Sequence, residues 1–291
     1  MIKYNFIQKH FSQISFFILI IVSFLLFFNT LNGNLLNWDD TTYLLNNKLM
    51  NQNLSFKSFY SIYQAEHHIS LVLSTFLVQI RWFGLDTFGM HLFNLFFHII
   101  NVLLVYILSK KLLKNCNYAF FIALLFSIHP MRSETVGWII QRKDILYTFF
   151  FLLSTISFID FLKTKKIIPF ILVLLFGTLS SLSKVQALAL PFVLIILEYF
   201  LDKKITIKSL ALFFPLIFFQ TNIFFNPLET LIFVAFPCIA CIYTENLQKI
   251  KFSNFSIWNK LKLNGLKKHF DLLNLSLIFF ALIFVFYLSK S

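Results

Sequence analysis

The sequence is short of charged residues, and acidic residues are the scarcest of them. Only 13% of the 291 residues are charged, and Asp and Glu together number 12. A soluble domain contains about 25% charged and about 45–50% apolar residues, whereas this sequence is 58% hydrophobic with a mean hydropathy of +0.79. The composition therefore excludes an ordinary soluble domain and predicts an integral membrane protein in a lipid bilayer.

Cysteine is also rare, and its positions exclude two kinds of site. Cys116, Cys238 and Cys241 provide no disulfide framework. The CxxC pair formed by the last two lies in an apolar run without a second pair, so neither a zinc site nor a redox site is predicted. The net charge of +13 comes from basic residues in short segments between apolar runs. This distribution is typical of membrane topology signals, and we predict no nucleic-acid partner.

Long apolar runs predict an all-α membrane protein with about nine transmembrane helices. The runs lie near residues 14–31, 91–109, 117–130, 145–162, 167–183, 186–201, 208–225, 228–244 and 271–289. The first run is long enough to span and no A-x-A-like site follows it, so it is interpreted as an uncleaved helix. Segment 69–83 is short and contains Arg81, so we expect it to lie in the interface or to re-enter.

The basic residues predict the orientation of the chain. Most of the 25 Lys and Arg lie on one side if the N-terminus is cytoplasmic. All three arginines, Arg81, Arg132 and Arg142, then fall outside, against the usual bias. We predict a single membrane domain over 1–291, with no soluble domain and a long external loop from about 32 to 90.

An acidic pair, Asp39 and Asp40, follows the first apolar run in the stretch NWDDTTYLLNN. A carboxylate in an external loop can act as a general base, and two adjacent carboxylates can bind a divalent cation such as Mg or Mn. An aspartate ahead of TTYLLNN is also a good helix N-cap. These residues alone leave all three interpretations open.

A polar stripe is predicted inside the second apolar run, in HLFNLFFHIIN. His91, Asn94, His98 and Asn101 are spaced by 3, 4 and 3, so they share one face of a helix. Such a stripe faces the protein interior or a wet cavity, or it joins helices by hydrogen bonds. We favour the joining role for Asn101 and His98, and a site role for His91 near the outer end.

A second polar cluster occupies the stretch HPMRSETVGWIIQRKDIL, which begins at His129. Glu134, Trp138 and Arg142 recur every four residues, which predicts that they stack on one face of a short surface helix. Arg142 is followed by a lysine and by Asp144 at the start of the next span.

The basic residues of this cluster are candidate phosphate ligands. Arg132, Arg142 and Lys143 at the external headgroup level suit a lipid-linked phosphate. The alternative is anchoring by snorkelling basic residues together with Trp138, but anchoring favours the inner side for Lys and Arg. Lys184, in SLSKVQALALPF, is either a snorkelling residue or a further phosphate contact.

Taken together, these motifs resemble a family of membrane glycosyltransferases. The family comprises the transmembrane and tetratricopeptide-repeat O-mannosyltransferases and their bacterial relatives, within the GT-C superfamily. Its acidic first loop is matched by NWDDTTYLLNN, and its pattern H-L-x-N-x-x-x-H-x-x-N by HLFNLFFHIIN. Its most specific pattern, H-P-x-x-x-E-x-V-x-W-x-x-x-R-K-D-x-L, is matched by HPMRSETVGWIIQRKDIL. The resemblance covers about 10–205, and residues 206–291 are predicted to be additional transmembrane helices and a basic cytoplasmic loop.

The resemblance implies a GT-C fold and an inverting glycosyltransferase in a bacterial inner membrane. The enzyme would move a hexose, mannose in this family, from a polyprenyl-phosphate donor to a hydroxyl acceptor on the non-cytoplasmic face. Asp39 or Asp40 would be the catalytic base. The donor phosphate would be held by Arg142, Lys143, Arg132 and Lys184, with support from His91, Asn94, His129, Glu134, Trp138 and Asp144.

Two features separate the sequence from the family pattern. The family usually carries a tetratricopeptide-repeat domain after its membrane part, and a Pro-Leu-Thr segment where this sequence reads HHISLVLST. We expect no required cofactor, and the Mg or Mn site at the aspartates stays open as an alternative. A lipid-linked-sugar flippase or exporter and a non-catalytic scaffold are the competing functions.

Overall fold

The structure is a computed structural model that describes residues 2–202, with side chains from residue 11 onward. Within that range the chain is helical and contains no strand. The α-helices are α1 Ile2–Phe27, α2 Phe56–Ala65, α3 Ser70–Phe83, α4 Thr87–Leu113, α5 Cys116–Ile128, α6 Arg132–Gly137, α7 Arg142–Thr164, α8 Ile167–Ser181 and α9 Leu190–Asp202. Residues up to Leu197 form one compact unit, and the end of α9 is assigned to a second one.

Six of the predicted spans coincide with helices. Four segments are long and apolar enough to cross a membrane: Phe11–Asn32, Thr87–Leu113, Ile139–Thr164 and Val185–Asp202. Two shorter apolar helices, α5 and α8, match two further predicted runs. The chain is therefore an integral membrane protein. The runs predicted near 208–225, 228–244 and 271–289 lie outside the described residues.

Local sequence signals set the ends of the membrane helices. Asp86 caps α4 by accepting the N–H of Gly89 at 3.0 Å, and Asn115 caps α5 in the same way. α4 and α7 are followed by Lys114 and Lys165, with φ of 54° and 55°. This left-handed conformation closes a helix and reverses the chain, so α4–α5 and α7–α8 are helical hairpins.

The polar stripe of α4 is buried on one face, as its spacing predicted. Asn94 donates to the carbonyl oxygens of Trp138 and Ile139, at 3.3 and 3.2 Å. Asn101 donates to the carbonyl oxygen of Ile145 at 3.0 Å. The predicted joining role of Asn101 is therefore confirmed, and Asn94 has the same role one turn nearer the helix start.

His98, the third member of the stripe, packs among aromatic rings. Its ring centre lies 5.1 Å from that of Phe27 on α1 and 6.0 Å from that of Phe126 on α5. Since α1 and α5 also share a hydrogen bond between Ser23 and Ser127, at 2.8 Å, the three helices form one packed group.

α3 has both ends at one end of the helix bundle. The N–H of Leu71 donates to the carbonyl oxygen of Leu182, just after α8, at 3.0 Å. At its other end Gly84, with φ of 74°, turns the chain into the start of α4. α3 therefore does not cross with the spanning helices, which agrees with the expectation for segment 69–83. We call this end of the bundle the loop face; it comprises segments 33–69, 129–141 and 182–189.

Candidate active site at the loop face

Asp40 is buried and connects two segments of the loop face. Its side chain is 0% exposed, and its Oδ2 accepts the N–H of Leu36 at 2.9 Å while its Oδ1 accepts the N–H of Ile140 at 3.0 Å. Burial raises the pKa of Asp40, and these two N–H groups act in the opposite direction. Asp40 precedes the helical turn Thr41–Leu45 but makes no capping hydrogen bond to it. The N-cap interpretation is therefore wrong for this residue.

Asp39, its neighbour, faces solvent and a lysine. Its Oδ2 lies 3.3 Å from Nζ of Lys143, and the side chains are 35% and 19% exposed respectively. The two aspartates thus have different environments, one accessible and one enclosed. Only the accessible carboxylate can meet a substrate without rearrangement of the loop.

Three consecutive residues at the start of α7 contact three different parts of the loop face. Successive side chains on a helix point about 100° apart, so they reach different neighbours. Arg142 contacts α3 and α4, Lys143 contacts Asp39, and Asp144 pairs with Lys184 after α8. The start of α7 therefore contacts α3, α4 and two loops through three residues of the predicted site.

Arg142 is enclosed, and its guanidinium lies between two phenyl rings. It is 0% exposed, with its central carbon 3.8 Å from the ring centre of Phe76 and 4.1 Å from that of Phe93. Its nitrogens donate to side-chain oxygens of Gln79, Thr75 and Asn94, at 2.7, 3.3 and 3.3 Å. These acceptors are neutral, and the guanidinium is not open to a ligand phosphate in this arrangement.

The sequence analysis missed the partners of Arg142 on α3. Thr75 and Gln79 are four residues apart, so they lie on one face of a helix. A polar pair with this spacing in an otherwise apolar segment was the available signal, equivalent to the stripe recognised on α4. This pair binds Arg142, which lies more than sixty residues away in the sequence, and the local pattern does not identify that partner.

The predicted helix through Glu134, Trp138 and Arg142 is interrupted, so the three residues do not stack. α6 ends at Gly137, and Trp138 is extended with φ −106° and ψ 123°. The cause is tertiary: Asn94 takes the carbonyl oxygens of residues 138 and 139, and Asp40 takes the N–H of residue 140. These bonds replace the intrahelical ones that a continuous helix would make.

Trp138 instead lies beside Asp40 and packs against Trp38 of the first loop. Its ring centre is 6.2 Å from that of Trp38, which is 75% exposed. Its indole N–H lies on the side of Asp40 but makes no hydrogen bond of good geometry there. Trp138 therefore supports the loop by packing.

Around α6 the remaining predicted site residues have varied environments. Nδ1 of His129 accepts the N–H of Met131 at 3.3 Å, and Oε1 of Glu134 accepts from Gln141 at 3.2 Å. Both side chains stabilise local turns. Arg132 stacks 4.5 Å from the ring centre of Phe126. Burial lowers the pKa of Arg132, and the nearby charge of Asp144 acts against that shift.

His91 lies beneath the start of the first loop. It is buried, and a Cβ added to Gly33 would lie 2.7 Å from its Nε2. The backbone of Gly33 and Val136 borders the ring, yet neither ring nitrogen makes a hydrogen bond of good geometry with any residue in the described range. A side chain at position 33 would collide with the His91 ring, so the close approach requires glycine there. His91 thereby determines how closely the first loop packs against α4.

The carboxylate oxygens of the acidic pair have partners within the chain. Both oxygens of Asp40 accept backbone N–H groups, and Asp39 faces the ammonium group of Lys143. Across residues 11–202 no group of three His, Cys, Asp or Glu side chains is placed to hold a metal ion. Two ion pairs flank the start of α7, Asp39–Lys143 and Asp144–Lys184, and Arg132 lies near Asp144.

Several known proteins with similar sequences are named for the same activity. Protein O-mannosyl-transferase TMTC1 of Homo sapiens is 36% identical over 89 residues, which is 30% of this chain and 10% of its own length. A protein O-mannosyl-transferase of Caenorhabditis elegans is 30% identical over 185 residues, 59% of this chain and 26% of its length. Human TMTC3 is 25% identical over 131 residues, 42% of this chain and 14% of its length. No family model and no solved structure matches the chain.

These relatives are glycosyltransferases. More particularly, they are TMTC-family protein O-mannosyltransferases, and the resemblance found in the sequence motifs is thereby confirmed. The chain spans between about a tenth and a quarter of the length of these relatives.

Proposed function

We propose that the chain is a membrane glycosyltransferase that moves mannose from a polyprenyl-phosphate donor to a hydroxyl acceptor, with inversion at the anomeric carbon. The observation that carries the proposal is the placement of one accessible carboxylate, Asp39, beside Lys143 at the loop face. These residues belong to two of the motifs that resemble the O-mannosyltransferases. The names of the relatives, protein O-mannosyl-transferases, support a protein hydroxyl as the acceptor.

Asp39 is the proposed base. As the acceptor oxygen attacks the anomeric carbon, its proton passes to the Asp39 carboxylate. The bond from that carbon to the phosphate oxygen breaks, and the phosphate keeps the electron pair. Asp40 is assigned a positioning role, because both of its oxygens already hold backbone N–H groups and it is not exposed.

The leaving phosphate requires positive charge, which lysines can supply. Lys143 and Lys184 are partly exposed at the loop face, and Arg132 lies near Asp144 beside them. Fixed cations aimed at the charge that develops on the leaving group lower the barrier. A metal ion is not required in this scheme. Arg142, enclosed between Phe76 and Phe93, is assigned the role of holding α7 against α3 and α4.

The proposed setting is a bacterial inner membrane, with a cytoplasmic N-terminus and the loop face on the non-cytoplasmic side. The basic residues of the opposite end support this orientation: Lys110 and Lys111 lie in the last turn of α4, and Lys114 follows it. We further propose a single membrane domain over 1–291, in which about 10–205 is the catalytic core among about nine helices.

A flippase is the second candidate, and it requires a continuous polar path through the membrane. The only predicted inward path was the stripe on α4. Its two asparagines donate to backbone carbonyl oxygens, and His98 packs among rings. These contacts favour a structural stripe over a path. A scaffold without activity is disfavoured by the accessible Asp39–Lys143 pair.

The test is sugar transfer from radiolabelled polyprenyl-phosphate mannose to membrane acceptors, for wild type, Asp39→Asn and Asp40→Asn. We expect Asp39→Asn to lose about 100- to 10,000-fold in rate, the usual contribution of a general base, while folding normally. Asp40→Asn should instead lower the yield of folded protein. Undiminished transfer by well-folded Asp39→Asn would refute the assignment of the base.

A further inference from the structure

Both candidate phosphate-binding lysines are held by aspartates of the chain itself. Nζ of Lys143 lies 3.3 Å from Oδ2 of Asp39, and Lys184 pairs with Asp144. Lys143 and Asp144 are neighbours at the start of α7, so both ion pairs belong to the loop face, although the two side chains point in different directions from the helix. Each ion pair joins α7 to a different segment, and each is partly open to solvent.

We propose that Lys143 and Lys184 form one clamp for the donor phosphate, for which Asp39 and Asp144 compete, so that donor binding releases Asp39 to act as base. This inference rests on the proposed function and adds the order of events: donor first, acceptor second. A carboxylate and a phosphate oxygen are equivalent partners for an ammonium group, since both accept charge-assisted hydrogen bonds. One clamp can therefore hold either.

The exchange is energetically feasible because both ion pairs are partly exposed. The four side chains are 19–35% exposed, and pairs of this kind contribute little stability. A phosphate offers more acceptor oxygens than a carboxylate, so one phosphate can accept from more than one ammonium group. The donor thus displaces weak individual contacts and replaces them with a shared one.

The exchange also couples the base to the leaving group. While Asp39 is paired with Lys143, its Oδ2 is occupied by the ammonium group and is not available to an acceptor hydroxyl. When the donor phosphate takes Lys143, the carboxylate of Asp39 is released to receive the acceptor proton beside the sugar. During transfer Asp39 gains the acceptor proton and becomes neutral, as the phosphate gains negative charge by keeping the bonding electron pair. Asp39 therefore stops competing for Lys143 as the negative charge on the phosphate increases.

Binding of sugar-free polyprenyl phosphate to the full chain tests the clamp without turnover. We expect Asp39→Asn and Asp144→Asn each to tighten binding about 2- to 5-fold, the range expected from losing one partly exposed competing carboxylate. Lys143→Gln should weaken binding. Asp160→Asn is the matched control, because Asp160 also pairs with a lysine, Lys111, at 2.5 Å but at the opposite end of the bundle; its binding should not change.

The binding results distinguish failure of the proposed function from failure of the clamp. Absence of binding by wild type would refute the proposed function. Binding by wild type that Asp39→Asn leaves unchanged or weakens would refute the clamp alone.

A second measurement needs no variant. Carbodiimide labelling of Asp39 in wild type should increase when polyprenyl phosphate is added, since the phosphate displaces the carboxylate into solvent. Labelling that stays constant or decreases would overturn the inference.

Discussion

Asparagine in place of Asp40 keeps the size of the side chain but exchanges one acceptor oxygen for a donor. The two oxygens of Asp40 accept from Leu36 and Ile140, so either orientation of the amide leaves one backbone N–H facing another donor. A buried N–H without an acceptor costs about 1–3 kcal/mol. Removal of the charge relieves part of the desolvation that raises the pKa of Asp40, so we expect a net loss within that range.

The same substitution at Asp39 is the matched control. Its carboxylate forms an ion pair with Lys143, and the two side chains are 35% and 19% exposed. Exposed pairs contribute about 0.2–1 kcal/mol. Adjacent aspartates should therefore respond differently to the same change: Asp40→Asn loses stability, and Asp39→Asn loses activity with little change in stability.

Thermal unfolding of the full chain in detergent measures this difference. For a domain of similar size, 1 kcal/mol shifts Tm by about 2–4 °C, so Asp40→Asn should unfold several degrees below wild type and Asp39→Asn close to it. Equal shifts for the two variants, or the larger shift for Asp39→Asn, would refute the assignment of Asp40 as the structural member of the pair.

Three further substitutions test the packing beneath the loop face. Arg142→Gln should destabilise by about 1–3 kcal/mol, because buried oxygens of Thr75 and Gln79 lose their donor. Arg142→Glu should not accumulate as folded protein in size-exclusion chromatography; a folded but inactive Arg142→Glu would contradict its enclosed position. Gly33→Ala should lower the free energy of unfolding by about 1–3 kcal/mol, because the added methyl group overpacks against His91. Thermal unfolding measures this loss, and adding His91→Ser should recover part of it. A stable Gly33→Ala would show that the ring can move. Asn101→Leu should lose about 1 kcal/mol with its bond to the Ile145 carbonyl, and an unchanged Tm would indicate that packing alone joins α4 to α7.

Features with local periodicity could be predicted from the sequence. The stripe of His91, Asn94, His98 and Asn101 lies on one buried face because helical spacing determines which residues share a side. The location of Asp39 and Lys143 on the same face followed from counting spans, since both lie where the chain leaves the bundle at the same end, whereas their ion pair did not follow from it. These predictions needed only the length of a helix and its period.

Features decided by long-range contacts could not be predicted in the same way. The helix expected through Trp138 is broken because Asn94 and Asp40 bind its backbone groups, and neither residue is near it in the sequence. The burial of Arg142 depends on Phe76 and Phe93, from two other helices. A pattern of charges identified the right stretch of chain but not which of its cations faces solvent.

The two hydrogen bonds of Asp40 have a consequence for synthesis. One donor, Leu36, is made at almost the same time as Asp40, whereas the other, Ile140, emerges about a hundred residues later. A nascent chain that ends between them has its first loop held at one point only. The carboxylate can take its final position only after α4, α5 and α6 have been made. The geometry of the acidic pair is thus completed only when the start of α7 has left the ribosome, about a hundred residues after Asp40 itself.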